Sequence, residues 1–284
     1  MKIIECPRDA MQGLHDFVPT ELKSTYINQL LKVGFDTIDF GSFVSPKAIP
    51  QLRDTSEVLA LLDLANTDSK LLAIVANTRG ATDAEKFEEI SYLGFPLSLS
   101  ETFQQKNTNR SIEDAFATVS KIQEVCQRSG KKLVTYLSMG FGNPYGDPYE
   151  SAYLIEFVEK LLKMDIGIIS LADTVGVADE NTISTAFKTL ITAFPTVEFG
   201  AHLHANPKDA AHKVKAAFEA GCRRFDGAVN GYGGCPMADD VLVGNIATEV
   251  IVAHASEAVL DFSIDQTAFS EAMTTAGELF GQYH

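Results

Sequence analysis

His202 and His204 lie one residue apart at the end of the apolar run 197–201, and they are two of only six His in 284 residues. Along a strand, residues two apart share a face, so imidazoles at this spacing can converge on one ion. Alone, the pair reads more readily as hydrogen-bonded histidines lining a pocket. Asp9 and an amide such as Asn245 change that reading, because together they complete an oxygen and nitrogen donor set without thiolate. Such a set suits an octahedral divalent cation, Mg2+ or Mn2+ ahead of Co2+ or Zn2+, with positions left for ligand oxygens and water. The chemistry would be that of a Lewis acid chelating a hydroxyl and a carboxylate. Arg8, beside Asp9, is placed to stabilise a developing oxyanion or enolate; its plainer role is a salt bridge to Asp39 or Glu101. Cys235 follows Gly233-Gly234 in a loop suited to closing as a lid. A thiol near a cation titrates closer to neutrality and can move a proton, whereas the plain reading is a small apolar plug.

Elements able to hold these residues recur along the chain. Apolar runs predict strands at Lys2–Cys6, Thr37–Phe40, Lys70–Ala76, Phe95–Leu99, Lys132–Leu137, Ile166–Leu171, Val197–His204 and Arg223–Ala228. Helical periodicity fills the gaps at 19–34, 54–65, 80–93, 111–129, 148–165, 179–194, 207–221 and 243–256. In the fourth, Ser111 is a candidate N-cap, and Ile112, Ala115, Phe116, Val119, Ile122 and Cys126 repeat at helical spacing up to Gly130. Gly34, Gly94, Gly130 and Gly221 each mark a helix end before a strand. Eight β-then-α units predict a (β/α)8 barrel over 1–284 as a single catalytic domain, with no linker dividing it. An open doubly wound sheet would show a Gly-rich loop after an early strand, and strand one is followed instead by Pro7-Arg8-Asp9. The apolar-periodic 269–280 predicts an additional C-terminal helix, packed outside the barrel or on a second subunit.

Barrel active sites lie at the C-terminal strand ends, so each exit names candidates. These are Arg8, Asp9 and Gln12; Asp39 and Ser42; Asn77; Ser100 and Glu101; Ser170, Asp173 and Thr174; His202 and His204; and the stretch from Asn230 to Pro236. Gln12, Ser42, Asn77, Ser170 and Thr174 are expected to bind substrate, with Asp39 and Asp173 among the catalytic groups. Cys6 reads as core, and Cys126 and Cys222 as buried-face residues. Net charge is −15, from 23 Lys and Arg against 38 Asp and Glu, which argues against nucleic acid or an anionic membrane as partner. A local Arg or a metal can still hold an anionic small molecule. Four unpaired Cys, no targeting segment and no long apolar window make the cytoplasm the expected location.

The motifs resemble those of the 3-hydroxy-3-methylglutaryl-CoA lyase family, within the metal-dependent barrel superfamily that includes isopropylmalate and homocitrate synthases. Cys6-Pro7-Arg8-Asp9-Ala10-Met11-Gln12 is similar to the family's Gly-Pro-Arg-Asp-Gly-Leu-Gln. Ser42 to Lys47 with Pro50-Gln51, Ser170 to Gly176, Gly231 to Pro236 and Gly244 to Glu249 resemble further family segments in the same order. The resemblance implies metal ligation by Asp9, His202, His204 and Asn245, aid from Arg8, and Cys235 on a mobile loop. It implies an acyl-CoA substrate, a homodimer, and cleavage of (S)-3-hydroxy-3-methylglutaryl-CoA to acetyl-CoA and acetoacetate. The base that takes the hydroxyl proton stays open among Asp9, Asp173 and a His. The chain departs from the family pattern in having Asp39 where the family has Glu and Ala205 where it has an acidic residue. Its loop from Cys235 to Asn245 is one residue longer and poorer in Gly. The alternatives are a condensing synthase, a lyase on another 3-hydroxyacyl-CoA, and a metal-stabilised barrel without chemistry. The first is disfavoured by the Ser42–Lys47 stretch, the Gly-Gly-Cys-Pro stretch and the lack of a regulatory domain.

Overall fold

Alternating apolar residues give each strand two faces that must both be buried, and a closed barrel ringed by helices satisfies both. The computed structural model describes residues 1–234, 243–258 and 262–283. In it β1 (Lys2–Glu5), β2 (Thr37–Ser42), β3 (Lys70–Ile74), β4 (Ile90–Ser98), β5 (Lys132–Ser138), β6 (Ile168–Ala172), β7 (Glu198–His202) and β9 (Arg224–Gly227) run parallel and close, β9 pairing back onto β1. The expected (β/α)8 barrel is the observed fold. Between β7 and β9, the short β8 (His204–Ala205) pairs antiparallel with β10 (Gly244–Asn245).

Leu71, Ala73, Leu133 and Ile169 belong to the main apolar core shared with the helices, whereas Leu72, Val134 and Tyr136 form a separate cluster with Ile74, Tyr92 and Ile168. The even and odd positions of one strand thus serve two cores, as the pleat requires. Around the barrel lie α2 (Thr20–Leu31), α3 (Thr55–Ala60), α4 (Thr78–Ala84), α6 (Ile112–Ser129), α7 (Ser151–Leu162), α8 (Glu180–Ala193), α9 (Pro207–Glu219) and α10 (Thr248–Glu257). Helix α6 follows its expected signals: the Ser111 hydroxyl accepts from Asp114 N at 3.1 Å, and Gly130 ends the helix in the left-handed region.

Several expectations are corrected. The helix expected over 80–93 ends at Ala84, and β4 begins at Ile90, five residues before its expected start. Gly94 therefore lies inside β4, where a Cβ would sit 2.5 Å from Ile74 Cδ1 and 3.1 Å from Tyr136; it makes room for those side chains and ends no helix. Helices α1 (Pro7–Gln12) and α5 (Glu101–Thr108) were not anticipated, being too short for periodicity to register. Asn245, expected inside a helix, lies on β10. The C-terminal helix α11 (Gln266–Tyr283) packs on its own barrel: Phe269 meets Phe35 edge-on and Phe280 stacks on Tyr232 with centroids 4.3 Å apart. Its buried face is thus occupied within the chain. Among the described residues, no helix is long and apolar enough to cross a membrane.

Glu5, at the end of β1, ties the closing strands together. It accepts from Val229 N at 2.9 Å and from the Thr248 hydroxyl at 2.6 Å and is fully buried. Burial pushes its carboxyl up to about 8, further than the two hydrogen bonds pull it back. Its stabilising contribution is therefore complete below the unfolded value near 4.5 and lost as pH rises through about 8. Glu5→Gln keeps an acceptor for Val229 and offers Thr248 a donor without the charge. Relative to the parent, its thermal stability is expected to climb between about pH 5 and 8, by ~1 kcal/mol per pH unit, and then level off. A pH-independent difference in melting temperature would contradict a protonated Glu5.

Candidate metal centre and active site

Immediately after β1, Pro7 starts α1, where its missing N–H costs nothing. One turn of helix then sets Arg8, Asp9 and Gln12 on adjoining positions. Arg8 Nη1 donates to Asp9 Oδ1 at 2.6 Å and to Gln12 Oε1 at 3.0 Å, while Gln12 Nε2 donates to the same Asp9 oxygen at 2.8 Å. The other edge of the guanidinium forks onto Asp39 of β2, with Nε 3.0 Å from Oδ2 and Nη2 on the same oxygen. Asp39, one methylene shorter than the family's Glu, thus still reaches Arg8. Burial would lower the affinity of Arg8 for its proton, but Asp39 and Asp9 outweigh it and the guanidinium stays charged. Burial lifts the Asp39 carboxyl to about 6 against the pull of Arg8, which leaves it ionised at neutral pH.

His202 ends β7 and His204 follows on β8. Their rings meet edge to face, 5.1 Å between centroids. His202 Nδ1 lies 3.1 Å from Asp226 Oδ2 on the neighbouring β9, in the register that pairs the two residues. His204 Nδ1 lies 3.1 Å from the carbonyl of Thr174. An acceptor at each Nδ1 fixes the proton there and leaves Nε2 with a lone pair, the tautomer a metal ligand needs. Asp9, His202 and His204 each bring a ligand atom within 4.8 Å of the others. Burial disfavours the charged form of Asp9, yet Arg8 and the two imidazoles hold its carboxyl at about 2. Burial also lowers His204, with His202 adding to it, so His204 is neutral. His202 is raised: burial works downward, but the hydrogen bond and charge of Asp226 prevail.

Asn245 supplies the sharpest test of whether a cation fits. Its Nδ2 is committed to Asp9 Oδ2 at 2.8 Å and to the Tyr232 carbonyl at 2.9 Å, so its Oδ1 must face His204 Nε2, 3.1 Å away. With Nδ1 of His204 holding the proton, two acceptors oppose each other beside a carboxylate. A cation satisfies all of them, and without thiolate the set favours a hard divalent ion. Gly233 allows the approach: at φ +86, a Cβ there would stand 2.6 Å from Ala10 Cα and 3.0 Å from Asn245 Nδ2.

Arg8, Asp9, His202 and His204 line a cavity of about 280 Å3, whose walls also include Ile74, Phe103, Asn107, Tyr136, Ser138 and Thr174. Arg8, Asp9, Gln12, Thr174, His202 and His204 are brought together on this wall, with Asn245 and Asp39 hydrogen-bonded to them. Ser42, Asn77, Ser170 and Asp173 lie outside it. Ser42 accepts from Val44 N, and Asn77 caps α4 by accepting from Gly80 N. Ser170 is buried inside the barrel, its hydroxyl 3.0 Å from where a Gly200 Cβ would stand. Asp173 pairs with Lys213 at 2.7 Å and accepts from Ala178 N. Cys235 and the lid expected from it lie outside the described residues. Ala205, where the family has an acidic residue, is a buried member of β8. Nothing in the sequence singles out Asp226 beyond its place two residues after Arg224 on an apolar-flanked strand. Asp226→Asn is expected to weaken Mn2+ binding by roughly 10- to 100-fold, because the amide orients His202 but no longer strengthens it as a donor. Titration of bound Mn2+ by electron paramagnetic resonance checks this; unchanged affinity would remove Asp226 from the metal centre.

The pattern of the HMGL-like family matches residues 2–275. Hydroxymethylglutaryl-CoA lyase YngG of Bacillus subtilis (strain 168) is 34% identical over 246 residues, 87% of this chain and 81% of that protein. The mitochondrial hydroxymethylglutaryl-CoA lyase of Mus musculus is 32% identical over 256 residues, 89% of this chain and 77% of that one. The structure of an HMG-CoA lyase from Acinetobacter baumannii in complex with coenzyme A and 3-methylmalate aligns with a TM-score of 0.90 at 33% identity, covering 99% of this chain and 91% of that chain. A match through every strand of the barrel, with a relative 34% identical over most of its length, makes this chain a member of the HMGL-like family.

Proposed function

We propose that this protein is a metal-dependent carbon–carbon lyase that cleaves (S)-3-hydroxy-3-methylglutaryl-CoA to acetyl-CoA and acetoacetate, working with Mg2+ or Mn2+. The observation that carries the reading is the opposed pair of acceptors, Asn245 Oδ1 and His204 Nε2, with His204, Asp9 and the charged Arg8 lining one cavity. Relatives that carry the lyase name, one of them with coenzyme A bound, support the acyl-CoA substrate. Asp9, His202, His204 and Asn245 would hold the ion, which supplies Lewis acidity toward the hydroxyl and carboxylate of the substrate.

The remaining chemistry falls to the chain. Among the described residues lining the cavity, the groups able to take the hydroxyl proton are the Asp9 carboxylate and the imidazoles of His202 and His204. As that proton leaves, the hydroxyl carbon becomes a ketone and its bond to the methylene beside the thioester breaks. The electron pair passes to the thioester as an enolate, and Arg8 stabilises the oxygen. Gln12 and Asp39 keep the guanidinium in place from both sides. Phe103, Ile74 and Tyr136 supply apolar wall to the same cavity. A proton returned to the carbanion completes acetyl-CoA; Cys235 is proposed for this step on its motif alone. Residues 1–284 are read as one catalytic domain, and assembly as a homodimer is part of the same reading on family resemblance; sedimentation equilibrium measures it.

Incubation of metal-stripped protein with 3-hydroxy-3-methylglutaryl-CoA, with and without Mn2+, tests the reading. Acetoacetate and acetyl-CoA formed in equal amounts only with Mn2+ is the expected result. Release of free CoA only when acetyl-CoA and a 2-oxo acid are supplied would replace the lyase with a condensing synthase. Tight Mn2+ binding without turnover of either mixture would leave a barrel without chemistry.

A further inference from the structure

Beneath the Asp9 side of His202 lies a second convergence of ligand atoms. Cys6, the residue between β1 and α1, carries a thiol where the family motif has Gly, and its Sγ, a ring nitrogen of His202 and a carboxylate oxygen of Asp226 all lie within 4.8 Å of one another. His202 and Asp226 come from β7 and β9, and Cys6 from the exit of β1, which β9 pairs on its other side. Cys6 is 1% exposed and Asp226 3%, and neither lines the cavity. Asp226 spends Oδ2 on His202 Nδ1, while its buried Oδ1 has no hydrogen-bond partner among the described residues. The buried Arg224 guanidinium acts on Asp226 through its charge but donates no hydrogen bond to this oxygen, so a ligand atom stays open there.

Tetrahedral zinc holds nitrogen and oxygen near 2.0 Å and sulfur near 2.3 Å, which sets ligand atoms roughly 3.2 to 3.8 Å apart. The 3.1 Å separation of His202 Nδ1 from Asp226 Oδ2 is that of their hydrogen bond, so an ion must take the place of the shared proton, and Cys6 Sγ, within 4.8 Å of both side chains' ligand atoms, must draw in by up to about 1 Å. We propose that Cys6, His202 and Asp226 form a second cation site, for a thiophilic divalent ion such as Zn2+ or Cd2+, that competes with the Asp9 site for the one lone pair of His202. The two sets differ in softness: the upper has only oxygen and nitrogen donors, the lower adds a thiolate. They cannot both use His202. A neutral imidazole has one lone pair, held on Nε2 while Nδ1–H donates to Asp226. An ion bound at Nδ1 moves the ring proton to Nε2 and removes that ligand from the upper set. The thiol gives up its proton as the sulfur–metal bond forms, so one proton is released per ion and no electron is transferred. A soft cation would thereby weaken the hard-metal centre from behind, without entering the cavity.

Cadmium reports the site directly through its ultraviolet thiolate-to-metal charge-transfer band. Metal-stripped parent protein and Cys6→Ala are titrated with Cd2+, and Mn2+ affinity is then measured by electron paramagnetic resonance with and without one equivalent of Cd2+. Cys6→Ala is expected to lose one equivalent of the band while keeping the parent's Mn2+ affinity and acyl-CoA cleavage. In the parent, Cd2+ is expected to weaken Mn2+ binding by about tenfold or more, and much less in Cys6→Ala. An unchanged band in Cys6→Ala, or equal displacement of Mn2+ by Cd2+ in both proteins, would overturn the proposal. Cys6→Ser gives the same reading should the Ala variant melt early. The band involves no substrate, so its failure is separate from failure of the lyase reading.

Discussion

Arg8→Met is expected to lower the rate of acyl-CoA cleavage by about 100- to 1000-fold while Mn2+ affinity stays within several-fold of the parent. A donor aimed at a developing oxyanion contributes that much because it acts where water is excluded and needs no reorientation during the reaction. Arg8 meets both conditions: it is 7% exposed, and Asp39, Asp9 and Gln12 fix the guanidinium on three sides. The substitution also strands Asp39, which is fully buried, at a cost of roughly 3 to 5 kcal/mol, so turnover must be measured well below the lowered melting temperature. Arg8→Lys separates the two effects. It keeps a charge beside Asp39 but loses the fork, and turnover should fall between parent and Met variant. A folded Arg8→Met protein with turnover within about threefold of the parent would reduce Arg8 to the structural partner of Asp39.

Asp9→Asn should abolish cleavage at any practical metal concentration and weaken Mn2+ by at least about 100-fold. More than a charge is lost. The Asn oxygen can still accept from Arg8 and Gln12 where Asp9 Oδ1 does, but the amide nitrogen then replaces Oδ2 and points at Asn245 Nδ2. Two donors cannot face each other there, and Asn245 cannot turn its amide to relieve them without setting its oxygen against the Tyr232 carbonyl. Either way the donor set around the cation loses both the carboxylate charge and the fixed Asn245 amide. Mn2+ titration by electron paramagnetic resonance distinguishes this from a purely catalytic defect: parent-like affinity without turnover would make Asp9 a base and not a ligand.

The motif-bearing part of the centre was legible because its spacing is local. His202 and His204 share a face by strand alternation, and Arg8, Asp9 and Gln12 fall within one turn. Eight apolar runs between amphipathic stretches similarly announced a barrel, since burial on both faces of a parallel strand leaves few other patterns. Element boundaries were less legible where two signals overlapped. Residues 85–93 carry enough apolar positions to extend a helix, but tertiary pairing with β3 and β5 claims the stretch from Ile90 onward. Ser42, Asn77, Ser170 and Asp173 were selected for polarity at strand exits. Their side chains instead serve a turn, a helix cap, the barrel interior and an ion pair, a distinction that strand position does not encode.

By itself the sequence determined the fold and the first candidate ligands, because periodicity and short spacing are one-dimensional properties that backbone geometry converts directly into shared faces. Tertiary structure alone decided the tautomers, the partners and the rest of the donor set. Asp226 reaches His202 through the register of β7 with β9, and Asn245 reaches His204 through the antiparallel pairing of β8 with β10. Both contacts join residues more than twenty positions apart, so they exist only once the barrel has closed.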